Sequence, residues 1–142
     1  MKMNKMIFIL MLALAAASCT DEGNPDSREI NLYFRNNSDS PVNVETYAEG
    51  ILRMEETIEP MQSGLAYTFY TRNDFYNFGF VTDSLVIKYP NGRGYICCPG
   101  GTLCISSKPS PVDAGKEDFL SEGNGCYYIL SQQDYADALD ID

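Results

Sequence analysis

The 142-residue chain contains no histidine, which removes the commonest general base and the usual partner of a serine or cysteine nucleophile. Conventional nucleophile–base triads are therefore excluded. Paired carboxylates could still hydrolyse a glycosidic bond, but twenty acidic residues in so short a chain bring some pair together by composition alone. Glu55-Glu56 reads as a solvated strand edge. No glycine-rich stretch leads from a strand into a helix as a phosphate cradle must, and Gly92-Arg93-Gly94 reads as a hairpin tip. What remains with recognition chemistry is aromatic. Phe69, Tyr70, Phe75, Tyr76, Phe78 and Phe80 are interleaved with Arg72, Asn73, Asp74 and Asn77. Rings stack on apolar faces while polar neighbours hydrogen-bond, a combination suited to a glycan or a protein edge. Phe75, Tyr76 and Phe78 are the candidate ligand-binding residues, with Phe69 and Phe80 assigned to the core; membership of the whole cluster in the core is the alternative. The chain reads as a non-enzyme without a cofactor or metal.

Chemistry of another kind is written at Cys19. Lys2 and Lys5, the apolar run Met6–Ala17 and small residues ahead of the cysteine make a secretory signal. The run is too short to span a bilayer, which needs about 20 apolar residues. Leu14-Ala15-Ala16-Ala17-Ser18-Cys19 resembles the bacterial lipobox, with Ala16 where that pattern more often has Leu. The resemblance implies cleavage before Cys19 and acylation of its thiol and new amine, a durable anchor, since each buried methylene contributes about 0.8 kcal/mol. An ordinary secretory signal cut at Ala17 or Ser18, leaving Cys19 a free thiol, is the other reading. The acids of Thr20-Asp21-Glu22 resemble the surface-export signal of Bacteroidota-type lipoproteins. That implies an outer-membrane protein facing the cell exterior; the inward-facing leaflet is the alternative. Asp21 to Ser27 has the polar, Gly/Pro-containing composition of a flexible tether.

Cys97, Cys98, Cys104 and Cys126 are an even set in a compartment that permits disulfides. Cys97 to Cys98 is geometrically poor, because adjacent strand residues point to opposite faces. Pro99-Gly100-Gly101 can turn Cys98 back to Cys104, leaving Cys97 for Cys126. The rival is Cys97–Cys104 with Cys98–Cys126. A thiolate metal site fits no zinc spacing and lacks any histidine.

These groups must be positioned by a domain of about 115 residues, long enough for a single core. The chain divides into a signal peptide (1–18), a lipidated N-terminus and linker (19–28) and a domain (29–142). Loss of Lys2 and Lys5 leaves eight basic against twenty acidic residues, a net charge of −12. Nucleic acid is an improbable partner for such a surface. Short runs of β-branched and aromatic residues between Gly, Pro, Asn, Asp and Ser give the rhythm of an all-β domain. Ile30, Leu32 and Phe34 alternate with Asn31, Tyr33 and Arg35. Further strands fall at Val42–Glu45, Leu52–Ile58 and Leu65–Tyr70, with Glu56 marking a bulge or exposed edge. Leu85–Tyr89 and Tyr95–Cys98 flank a hairpin at Pro90–Gly94. Ile105 to Gly125 reads as one long surface loop with a turn at Lys116 to Leu120. The last strand is Cys126–Leu130. Ser131 with Asp134 then caps a short helix over Gln132–Leu139, docked by Tyr135, Ala138 and Leu139. Seven or eight strands, antiparallel, predict a β-sandwich, Ig-like or related.

The segment Asn31 to Val42, then Ile58-Glu59-Pro60, Asp83 to Ile87 and the ending Tyr127 to Tyr135, resembles the small Bacteroidota-type envelope lipoproteins whose activity is unassigned. The resemblance implies an Ig-like or related sandwich; the four cysteines depart from it. Function is accordingly expected to be a surface-exposed binding module for a protein or glycan. An inhibitor or immunity-like protein and a structural envelope component are the alternatives. Asn36-Asn37-Ser38 also spells an N-glycosylation sequon.

Overall fold

The computed structural model describes residues 27–72 and 75–141; the expected signal peptide, Cys19 and nearly all of the expected linker, like Asn73 and Asp74, lie outside the described residues. The strands are β1 (Arg28–Asn37), β2 (Val42–Ala48), β3 (Ile51–Ile58), β4 (Ser63–Thr71), β5 (Ser84–Lys88), β6 (Arg93–Cys97), β7 (Leu120–Glu122), β8 (Gly125–Ser131) and β9 (Leu139–Asp140). One short helix, α1 (Gln132–Ala136), follows β8. They form a four-stranded sheet, β4-β1-β8-β7, and a five-stranded sheet, β3-β2-β5-β6-β9. The fold is an all-β sandwich. Two of its strands, β7 and β9, are too short for alternation to reveal, and β1 pairs with β8 in parallel rather than antiparallel fashion.

Period-two alternation accounts for the core. Ile30, Leu32 and Phe34 of β1 are buried, as are Val42 and Val44 of β2 and Leu85 and Ile87 of β5. Phe34 stacks on Phe78 at 4.4 Å and meets Tyr128 edge-on at 5.9 Å. Thr46 and Tyr67 share a 2.8 Å hydrogen bond across the core. A register shift between Leu32 and Tyr33 of β1 marks a bulge against β4, and another interrupts β2 against the edge strand β3. Between β2 and β3 the two turn residues Glu49 and Gly50 both have positive φ, 55° and 71°, as a tight hairpin of primed type requires. Asp83 holds the Glu49 N–H and so fixes the less willing residue of the pair.

Two sequence expectations need correction. The segment after Cys104 is not simply a surface loop: Ile105, Val112, Ala114 and Phe119 are buried in the main core. It is tied down by polar contacts as well: the Lys108 ammonium donates to the Ile129 carbonyl and to Asp134, and the Tyr128 hydroxyl donates to the segment's own Pro109 carbonyl at 2.7 Å. The expected turn is present as a 3₁₀ turn at Lys116–Asp118. The helix is capped as expected, with the Ser131 hydroxyl accepting from the Asp134 N–H and the Asp134 carboxylate accepting from the Ser131 N–H. It stops at Ala136, however, because Leu139 pairs with Gly94 of β6.

Candidate binding face

The predicted aromatic residues separate into different environments. Phe78 is fully buried against Phe34, so its candidacy for an exposed ligand contact is corrected; the 3₁₀ turn Phe78–Phe80 drives it inward as the chain crosses from one sheet to the other. Phe75 is half-buried, meeting Phe119 edge-on at 5.2 Å. Tyr76 is also half-buried: it stacks on Phe69 at 4.9 Å, packs against the edge of Phe80 at 4.7 Å and accepts a hydrogen bond from the Thr71 hydroxyl at 3.1 Å. Phe69 packs on the core as expected. Phe80 does not, being 63% exposed.

The cysteines are corrected in part. Cys97 and Cys104 form the disulfide, while Cys98 and Cys126 are free thiols. Alternation turns Cys97 into the core toward Cys104 and sends Cys98 to the other face, where its sulfur crowds Gly101. Cys126 belongs to the inner row of β8 in the opposite sheet and lines a cleft of about 320 Å³ beside Arg28, Ile30 and Lys116. Asn36 of the sequon is fully buried, its amide donating to the Ser40 and Ile58 carbonyls, so it serves as a turn anchor.

The residues best placed for recognition lie on the outer face of the four-stranded sheet. Tyr33 of β1 and Tyr127 of β8 are register partners, and their rings stack at 4.8 Å with 12° between planes. The Arg35 guanidinium lies over Tyr127, 3.9 Å from its centroid. It then reaches across β8 to Glu122 of β7, donating two hydrogen bonds of 3.0 and 2.8 Å. Such a fork-to-fork pair fixes both partners in one plane. Glu122 raises the Arg35 guanidinium above its ordinary range, and Arg35 holds the Glu122 carboxyl below its own. Gly125 makes room for this packing. A Cβ there would meet the Tyr127 ring at 2.8 Å.

Toward β4 the same face becomes polar and then aromatic again. Glu29 accepts from the Asn31 amide at 2.7 Å, from the Asn124 amide at 3.1 Å and from the Tyr70 hydroxyl at 3.3 Å, while Thr68 donates to Asn31 at 2.6 Å. Tyr70 is 73% exposed. Leu120 is exposed at the opposite margin, paired with Tyr127. The arrangement offers an exposed ring and an apolar margin separated by polar groups held at fixed positions, which can bind a ligand. Among the described residues no three His, Cys, Asp or Glu side chains converge as metal ligands would.

Sequence reasoning passed over this face. Its signals were present: Tyr33 stands between Asn31 and Arg35 on the outward row of β1, and of the consecutive Tyr127 and Tyr128 one must point outward. Compared with protein-family models, with curated proteins and with solved structures, the chain matches none.

Proposed function

We propose that the chain is a lipid-anchored outer-membrane protein of Bacteroidota type, facing the cell exterior, whose sandwich is a non-catalytic glycan-binding module. The observation that supports this reading is Tyr70, a largely exposed ring whose hydroxyl is held by Glu29 beside the Asn31, Thr68 and Asn124 network. An oriented ring presents its apolar face to a sugar while fixed amide and carboxylate groups take the hydroxyls. The edge position of β4 among the described strands favours a second reading, a protein partner that adds a strand there.

Screening the mature protein against envelope and host glycans tests the ligand class. Tyr70→Ala is expected to weaken glycan binding about tenfold with little change in melting temperature, because the ring is exposed. Binding that survives Tyr70→Ala, or that is confined to a polypeptide, sinks the glycan reading. Protease shaving tests the address. Cleavage in intact cells supports the outward orientation, whereas shielding relieved only by outer-membrane permeabilisation contradicts it.

A further inference from the structure

The register of the strands gathers most of the exposed large apolar side chains at one end of the sandwich. Glu29 at the start of β1 lies opposite Tyr70 near the end of β4. In the other sheet Ala48 and Tyr47 end β2 opposite Ile51 and Leu52 of β3, and Tyr47 also faces Ser84 at the start of β5. The Phe78–Phe80 turn joins these two ends, with the Asp83 N–H donating to the Tyr47 carbonyl at 3.0 Å. Leu103 accepts from the Ile96 N–H on the β6 side of the same end. Ile51, Leu52, Tyr70, Phe80 and Leu103 are all exposed there; of the other exposed large apolar side chains among the described residues, Met61 and Leu139 lie at the far end and Leu120 on the outer sheet face opposite Tyr127. Scattered exposed apolar residues need no explanation, but a set gathered at one end of a molecule marks a contact surface.

The chain enters the sandwich at that same end, since Ser27 leads directly into β1. Cys19 stands eight residues upstream of Ser27, and eight residues span at most about 29 Å when fully extended. We propose that this end of the sandwich docks on the lipid surface, with Phe80, Ile51 and Leu52 entering the headgroup boundary and Tyr70 at the water margin. This rests on the anchoring reading given above. Tyrosine favours that boundary because its ring is apolar and its hydroxyl stays wet. Charges of both signs stand around the same end, Glu29, Glu49 and Asp83 with Arg28 and Lys116, so no patch of one sign drives the contact, and a zwitterionic bilayer suffices. Docked this way, the outer face of the four-stranded sheet stands across the membrane plane, open to solvent on one side.

The chain contains no tryptophan, so Phe80→Trp and Met61→Trp each install a single reporter, one at either end. The mature protein carrying each substitution is reconstituted through its own acyl chains into phosphatidylcholine vesicles containing a spin-labelled lipid. The Phe80→Trp emission is expected to shift to the blue and be quenched about twofold more than that of Met61→Trp, unchanged by high salt. Equal quenching of the two reporters, or a water-exposed spectrum from Phe80→Trp, overturns the docking. Mass spectrometry of the same samples separates the two failures: an unacylated Cys19 overturns the anchoring reading and the docking with it, whereas acylated protein with an unquenched Phe80→Trp overturns the docking alone.

Discussion

Tyr89, Tyr95 and Tyr128 point into the core from three different strands or their ends, and all three rings are buried. The Tyr95 hydroxyl donates to the Asp134 carbonyl and that of Tyr128 to the Pro109 carbonyl, each at 2.7 Å. Burial first, and the charge of Asp134 second, push all three hydroxyls up, Tyr95 to about 12. A phenol whose folded pKa lies above its ordinary value of about 10 contributes stability that is complete below pH 10 and is lost as the pH rises toward the folded value. Absorbance titration should therefore show these three ionising only as the fold is lost. The urea midpoint should fall steeply between about pH 10 and 12, and less steeply in Tyr95→Phe; an unchanged slope in that variant would assign the alkaline loss to other groups. At this scale the sequence was legible where alternation was strict. It was not where consecutive rings compete, as at Tyr127-Tyr128, since only the partner strand decides which one faces the core.

Strands β1 to β6 and β8 were readable because each carries its own alternation and turn residues, which the three residues of β7 and the two of β9 cannot. The segment between Cys104 and β7 was not, since its Ser, Pro, Asp and Gly content describes the local chain while its burial is set by distant partners. Pro111, Val112 and Phe119 are sporadic apolar residues with no period, yet they close the core. Cysteine pairing failed to resolve for a related reason: local turn chemistry made Cys98–Cys104 reasonable, and only the strand's facing chose Cys97. Lys108 is what fastens this segment to β8 and α1. Its ammonium donates to Asp134 at 2.6 Å and lies 4.9 Å from the Tyr128 centroid, while the Asp134 side chain is only 2% exposed. Lys108→Met keeps much of the apolar stem but leaves a buried carboxylate short of a cation. It should cost about 2 kcal/mol of stability, with faster amide exchange confined to residues 105–119 and to α1. A loss below about 0.5 kcal/mol, the range of an exposed pair, would show that packing of Val112 and Phe119 holds the segment unaided.

For the molecule as a whole, long sequence separations dominate the pairings. β1 lies between β4 and β8, so the first strand must find a partner about ninety residues away, in the slower parallel sense. The five-stranded sheet likewise adds β5 to β2 across the whole of β3 and β4. Refolding should accordingly run on the scale of about milliseconds to seconds. The Cys97–Cys104 bridge encloses a sequence separation of only 7, so it shortens none of these searches. It restrains a loop at the end of β6, and closing so local a loop is expected to follow the pairing of β5 with β6. Reduction should thus act mainly on the unfolding limb, since interactions formed after the transition state alter unfolding rates. Stopped-flow tyrosine fluorescence on oxidised and reduced protein checks this: unfolding is expected to quicken about tenfold or more, given a bridge contribution of about 2 kcal/mol, while the refolding rate changes less than about twofold. A refolding rate that falls in step with stability would place the β5–β6 hairpin and its bridge in the nucleus. The first event would then be closure of the five-stranded sheet rather than the meeting of β1 with β8.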